Sequence, residues 1–590
     1  MRRLAAAAAR PLGNWAVAFG IILSAQIAPY NVDMVTYVSA ALRRADPSLF
    51  PGDLFAASSA DAITPQFLND LLLIGLMKLG LSMLGAALAI YLVCAAVLAG
   101  GLVALAASLS RSQSLPVAAA LALMVAYLTI GEAIGANRVW INSWHNQSLA
   151  MALAVWALAF ALRWRWWPAG WVAAACGLFH PQVGLYTGVV LAALLAFRPR
   201  PDQAGPTGPR PPRWRAAASL APLAAALGLV QAAFWLTSSK AAFSDRDFVA
   251  VYAILRHPWH LVPSAWAWSK ICWFALFAVL AAGALWLAAR RGERPAVWRG
   301  WGVPSLALGG IGAGVVLANY VFVEVAPLGL VAKAYPERYF ALFRLWVFIL
   351  LAAALAKALE RGQAGRALAI PAGAVAFEAA ALGVSPSTGL MMALAATCLA
   401  IAAALSGRLP AGRRARAWRA ASAAGLALCA LASAATSVLT WSGGQLRLQQ
   451  WSEFASPPPV TAADAAALAS AVPKEAAFLA DPDNQAYTAL HVFGQRALAA
   501  SVKNIPIDSA AMAQWLERLE RLDVVERVGQ GYQATGRPYE ARPVADLAAA
   551  AGEFGAEYLV TTQDQAQRYL DSGLVELAGE SQAFAIFRLR

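Results

Sequence analysis

Asp33 stands just past the first long apolar run, at the head of a stretch in which Met34, Val35, Tyr37, Val38, Ala41 and Leu42 recur at helical spacing up to Arg43. A carboxylate at that place faces the headgroup layer, where a lipid-linked phosphate must sit, and could take a proton from an acceptor hydroxyl. The competing use is local, because an Asp at a helix start caps free N–H groups and gains from the dipole. Both uses remain open from the residues alone.

Three further groups carry polar chemistry between apolar runs. The segment 131–148 gathers Glu132, Asn137, Arg138, Asn142, His145, Asn146 and Gln147, so that Arg138 could grip a phosphate as a fork and Glu132 could serve as a second catalytic acid. Trp140 and Trp144 in the same segment fit a membrane-interface belt better than a sugar platform. Further on come Glu324, Lys333, Tyr335, Glu337, Arg338, Tyr339 and Arg344. The cations among them either face an anionic headgroup or pair with Glu324 and Glu337. His180-Pro181-Gln182 interrupts two short apolar runs, where His180 and Gln182 line a cavity or cap the break. The candidate set is therefore Asp33 and Glu132 as acids, with Arg138, His145, His180, Gln182, Lys333, Glu337, Arg338 and Tyr339 as substrate or phosphate contacts.

Other matches are weaker. His257 and His260 lack a third ligand for zinc. Asp481-Pro482-Asp483 has the form of a sugar-nucleotide metal motif but also of an ordinary turn. Glu378 lies inside an apolar run, which makes it a functional candidate unless it snorkels or pairs. No phosphate-binding loop, dinucleotide fingerprint, zincin or nucleophile-elbow motif occurs, so those enzyme classes have no support.

The elements that must position these residues follow from composition. Of 590 residues 60% are hydrophobic and 13% charged, which excludes a soluble globule and a disordered chain and indicates a polytopic α-helical membrane protein. Apolar runs lie near 12–30, 79–108, 115–131, 147–162, 168–180, 182–197, 216–236, 264–289, 301–323, 340–356, 367–384, 388–406 and 420–440, about thirteen passes at roughly 20 residues each. The pair 168–180 and 182–197 reads as two short passes or one broken helix. The first run reads as a retained anchor, since cleavage after Ala25 or Ala28 would place Leu23 or Gln26 where a small residue is wanted.

Charge sets the orientation. The net +14 does not indicate a nucleic-acid partner, because residues 1–440 hold 34 bases and 14 acids while 441–590 hold 12 and 18. With the N-terminus cytoplasmic, 23 of those 34 bases fall inside, from Arg2 to the 408–419 cluster, in accord with the positive-inside rule. An odd number of passes then exports the C-terminus, and the alanine- and arginine-rich usage points to a bacterial inner membrane. The long basic loop after Arg198 reads as a stiff linker or a polyproline ligand. All five cysteines lie in apolar runs as small core residues.

Beyond a linker at 441–460, containing Pro457-Pro458-Pro459, residues 461–590 form a small α/β domain. Its expected strands are 476–482, 556–562, 574–578 and 583–589, with helices near 509–524 and 543–551. The Asp46-Pro47-Ser48 and Pro51-Gly52-Asp53 turns end the helix that follows Asp33, and Thr64-Pro65 opens a second helix feeding the next span.

Tyr30-Asn31-Val32-Asp33 after the first span, the amphipathic helix behind it, the number of spans and the exported domain together make this sequence resemble the GT-C class of membrane glycosyltransferases. That resemblance implies a polyprenyl-phosphate-linked sugar as donor, a glycan, lipid or protein acceptor, and catalytic-acid duty for Asp33. No cofactor is demanded and a divalent metal stays open, since no tight second acidic motif follows. The rival readings are a lipid-linked glycan transporter or flippase, for which no internal repeat is evident, and a non-catalytic envelope assembly protein.

Overall fold

The computed structural model describes residues 2–24, 33–128, 134, 138–141, 143–197, 213–238, 243–363, 370, 374, 439–442, 445–448, 460, 462–506, 508–528 and 531–590. Five helical segments are long and apolar enough to cross a membrane: Met83–Leu109, Arg213–Thr237, Ile271–Ala288, Arg291–Val325 and Gly329–Glu360. Shorter apolar helices include Pro11–Ser24, Ser114–Tyr127, Ser148–Leu162 and Pro181–Phe197. The chain is an integral membrane protein. The expected passes at 367–384, 388–406 and 420–440, with Glu378, lie almost wholly outside the described residues.

Burial separates the centre of the bundle from its rim. The apolar window of Gly329–Glu360 is 100% buried, whereas that of Arg213–Thr237 is 17% buried and turns Leu229, Trp235 and Leu236 outward. A helix apolar all round belongs in a core, and one apolar on its exposed face belongs against lipid.

Helices α1 (Arg2–Ser24), α2 (Met34–Ala45), α3 (Leu54–Asp61) and α4 (Phe67–Lys78) lead into α5 (Met83–Leu109). Helix α2 is amphipathic as its spacing requires, burying Met34, Val38, Ala41 and Leu42 and ending in Arg43 and Arg44. Arg43 donates to the Leu49 carbonyl at 2.6 Å, which closes the Asp46 turn. Helix α3 is an addition to the expected pattern, capped by Asp53 through Ala56 N–H at 2.7 Å. Helix α4 does not run straight into the span: Gly80, with φ of +94°, breaks the chain, and Ser82 caps α5 afresh through Gly85 N–H.

Helices α6 (Ser114–Tyr127), α7 (Ser148–Leu162), α8 (Trp166–Phe179) and α9 (Pro181–Phe197) complete this half. His180-Pro181 separates two helices that fold back on each other rather than one broken rod. Cys176 and Thr187 meet across the turn, and a Cβ on Gly184 would lie 2.3 Å from Gly177 Cα. Small residues at both positions permit that approach.

The C-terminal unit holds a five-stranded mixed sheet. A hairpin of β1 (Leu439–Ser442) and β2 (Gln445–Leu448) lies at the start of the stretch read as a linker. Strands β3 (Ala477–Leu479) and β4 (Ala497–Leu498) precede a separate hairpin, β5 (Val525–Val528) with β6 (Gly531–Ala534). Strands β7 (Ala556–Thr562), β8 (Val575–Glu580) and β9 (Phe584–Leu589) close the sheet in the order β4-β3-β7-β9-β8, parallel between β4, β3 and β7 and antiparallel thereafter. Helices Ala462–Ala471, Gln485–Gly494, Ser509–Arg521 and Val544–Glu553 pack around it.

This unit is seated on the segment between α1 and α5. Lys474 Nζ lies 2.7 Å from Asp46 Oδ2, His491 Nε2 lies 2.9 Å from Asp53 Oδ2, and Leu498 N–H donates to Asp53 Oδ2 at 3.3 Å. The loop after β4 reaches past these contacts to the N-terminus of α2.

Candidate active site

Asp33 sits at the N-cap position of α2, yet its carboxyl makes no cap bond; the backbone carbonyl takes Thr36 N–H and Oγ–H instead. The side chain turns elsewhere. Lys503 Nζ donates to Oδ1, and His145 Nε2 lies 3.8 Å from Oδ2. Burial alone would push the Asp33 carboxyl up, but Lys503, His145 and Arg338 outweigh it and hold the group down at about 2. Its side chain keeps 37% of its surface exposed.

His145 is fixed by its own loop. Gln147 N–H donates to Nδ1 at 3.2 Å, which by the hydrogen-bond network assigns the ring proton to Nε2. That nitrogen is 3.2 Å from Tyr37 Oη, one helical turn beyond Asp33 on α2. Burial lowers the imidazole most, Arg338, Lys503 and Arg138 add to this, and Asp33 opposes it, leaving the ring at about 4 and neutral at pH 7. Its one Nε2–H is within reach of Tyr37 Oη, so the 3.8 Å approach to Asp33 is an electrostatic contact that adds no charge.

Arg338 approaches from the start of the central helix. Its Nη1 donates to Gln147 Oε1 at 2.6 Å, and its guanidinium lies over the Tyr335 ring at 5.1 Å. Tyr335 itself is left-handed, with φ of 54°, so the chain reverses there and Pro336 starts a short turn that leads into Tyr339–Glu360. Around Tyr335 stand His257 at 5.8 Å, His260 at 5.5 Å and Tyr252 at 6.3 Å between ring centres.

The remaining expected residues divide. His180 is buried and accepts Val183 N–H at 3.4 Å, and its field includes Arg338 and His145, so it belongs to the same region. Arg138 is exposed at the edge of the cluster. Gln182 donates to the Lys333 carbonyl at 3.1 Å, while the Lys333 ammonium lies 4.6 Å over Phe248. Glu337 is wholly buried beside Arg338. Tyr339 Oη–H is used on the Leu308 carbonyl at 2.5 Å, and Glu324 accepts Ser264 N–H at 3.0 Å. Glu132 lies outside the described residues.

Trp140 and Trp144 are buried rather than exposed as a belt would be, with Trp144 edge-on to Tyr37 at 6.3 Å. In the Asp481-Pro482-Asp483 turn, Asp481 Oδ1 accepts Asp483 N–H at 3.0 Å. Among the described residues no group of three or more His, Cys, Asp or Glu is placed to hold a metal ion.

Two members of the site had no signal of their own. Arg256 belongs to the Arg256-His257-Pro258-Trp259-His260 run, weighed above only for zinc. Its Nε and Nη2 fork onto the Lys503 carbonyl at 3.3 and 2.9 Å. Lys503 comes from the far unit, 470 positions from Asp33. No nearby motif marks it.

No family model matches the chain, and no curated protein matches it. Solved structures that are similar to it over nearly their whole length include two of one protein. ArnT from Cupriavidus metallidurans in the apo state aligns with a TM-score of 0.45 at 13% identity, covering 99% of this chain and 98% of that one. The same protein bound to undecaprenyl phosphate aligns with a TM-score of 0.43 at 12% identity, covering 98% and 97%.

Proposed function

We propose that this protein is a membrane glycosyltransferase that moves a sugar from a polyprenyl-phosphate-linked donor to an extracytoplasmic acceptor, with inversion at the anomeric carbon. The observation that carries this reading is the Asp33 carboxyl, freed from capping α2 and held part-exposed among His145, Arg338 and Lys503.

In this reading Asp33 accepts the proton of the acceptor hydroxyl as its oxygen bonds to the anomeric carbon. The bond from that carbon to the phosphate oxygen breaks, and its electron pair leaves with the polyprenyl phosphate. The departing phosphate gains negative charge, which in this reading Arg338, bonded to Gln147, and Arg138 offset. His145 stays neutral beside the carboxyl, with Nε2 3.8 Å from it. The exported side, the inner membrane of a bacterium and the acceptor-binding duty of the C-terminal unit belong to the same proposal.

The test is complementation of a deletion strain with wild-type or Asp33→Asn protein at equal membrane levels, with envelope glycans and polyprenyl-linked sugars read by mass spectrometry. Loss of one glycan with accumulation of its lipid-linked donor in the mutant is expected. An unchanged glycan profile in the mutant, against a changed one in the deletion, removes Asp33 as the base.

A further inference from the structure

Three cations, Lys503, Arg338 and Arg256, act on Asp33, and Asp483 also attracts Arg256. Arg256 is 6% exposed and uses its fork on a neutral carbonyl, that of Lys503. The effect of that fork is positional. It ties the backbone of the C-terminal loop to the membrane unit, while Trp515 Nε1–H holds Ser501 O at 2.6 Å from the other side. Val502 N–H, donating to the Pro482 carbonyl at 2.8 Å, fixes the loop a third time.

With the backbone held at Ser501, Val502 and the Lys503 carbonyl, Lys503 can change partner by side-chain rotation alone. The Lys503 and Asp33 side chains retain 17% and 37% of their surface, so the pair lies at an opening rather than in the core. A lysine serves such a task because its ammonium is a compact charge on four rotatable carbons.

We propose that Lys503 is a donor-phosphate ligand supplied by the C-terminal unit, which passes from Asp33 to the leaving phosphate during transfer. The inference rests on the glycosyltransferase reading. A donor diester carries one negative charge, and the polyprenyl phosphate that leaves carries nearly two. Asp33 loses its charge on taking the acceptor proton. The attraction on Lys503 therefore falls at one end and rises at the other as the reaction proceeds, so its contact with phosphate is stronger in the transition state than in the ground state. Departure of Lys503 also removes the main force depressing Asp33, which makes the carboxylate a stronger base when the proton must move.

The test measures binding of undecaprenyl phosphate, and of undecaprenol as the uncharged control, to the full-length protein in nanodiscs. Wild type, Lys503→Ala, Lys503→Arg, Asp33→Asn and the Asp33→Asn/Lys503→Ala double variant are compared, with a melting curve for each. Lys503→Ala is expected to weaken undecaprenyl phosphate about tenfold and leave undecaprenol unchanged, with Lys503→Arg recovering most of the loss. Asp33→Asn is expected to bind undecaprenyl phosphate several-fold tighter, because Lys503 no longer has a competing anion. That gain should vanish in the double variant. A gain in affinity cannot come from misfolding, so the Asp33→Asn result decides even if Lys503→Ala melts early. If wild type prefers undecaprenyl phosphate but neither single variant departs from it, Lys503 is only a partner of Asp33 and the inference fails alone. If wild type shows no preference for the phosphate over the alcohol, the glycosyltransferase reading fails with it.

Discussion

His491 Nε2 lies 2.9 Å from Asp53 Oδ2 with 0% and 4% of the two side chains exposed, which makes this pair the sealed joint between the C-terminal unit and the segment after α2. Phe50, with its ring centre 4.7 Å from that of His491, closes one side. Asp53 meanwhile caps α3 with its other oxygen and accepts Leu498 N–H from β4. One carboxyl thus serves a helix, a strand and an imidazole.

Asp53→Asn is expected to loosen the joint, since it removes one buried acceptor oxygen that faces both Leu498 N–H and the His491 ring, a loss of about 1–3 kcal/mol. Hydrogen exchange should rise across 484–506 while α5 and the central helix stay protected. His491→Phe, which keeps the ring and removes the polar nitrogen, should show the same local pattern. Equal protection in both variants and wild type would disprove the joint.

His145 predicts an acid limb. Its folded value of about 4 lies below the usual 6.5, so between those values the unfolded chain binds a proton that the folded chain does not. Stability is therefore full above about 6.5 and declines as pH falls toward 4, by on the order of 3 kcal/mol for this group. Thermal melts between pH 7.5 and 4 should show that decline, and His145→Gln should make it shallower without abolishing it, because other buried histidines remain. An acid limb of unchanged slope in His145→Gln would count against this account.

Arg338 reaches Gln147 through Nη1 at 2.6 Å while its guanidinium lies over Tyr335 at 5.1 Å, a pairing of one donation and one stacked plane that an ammonium does not reproduce. On the proposed function, Arg338→Lys, which keeps the charge but loses the guanidinium geometry, should raise the KM for lipid-linked donor by about tenfold. Gln147→Leu should give a smaller rise, since it removes the orientation and keeps the guanidinium. Steady-state kinetics at varied donor concentration separate the two.

The contact of Gly184 with Gly177 leaves no room for a methyl group, at 2.3 Å from a rigid backbone atom. Gly184→Ala should cost about 1–3 kcal/mol by overpacking and lower the melting temperature, whereas Gly228→Ala, with nothing near its Cβ, should not.

What the sequence made legible was local or periodic. The amphipathic stretch after Asp33 became α2, and 556–562 became β7 with the same ends, because side-chain alternation and helical spacing are written in neighbouring residues. Helix α3 was missed since Leu54–Asp61 has no periodic face, and β4 since two residues form no pattern. The choice at His180-Pro181 needed the packing of Gly177 on Gly184, which spacing does not express. The site was half legible for the same reason. Asp33, His145, His180 and Arg338 stand out as polar groups among apolar runs, but Lys503 and Arg256 are ordinary basic residues whose meaning comes only from long-range contact.

The Asp33–Lys503 contact also sets an order in the life of the molecule. Its two halves are made at opposite ends of translation, with 470 positions between them. A ribosome that stalls anywhere before residue 503 leaves an Asp33 that has never met its lysine. Such a fragment carries the Asp33 carboxyl without the loop that covers it, so completion of the chain and completion of this contact are one event.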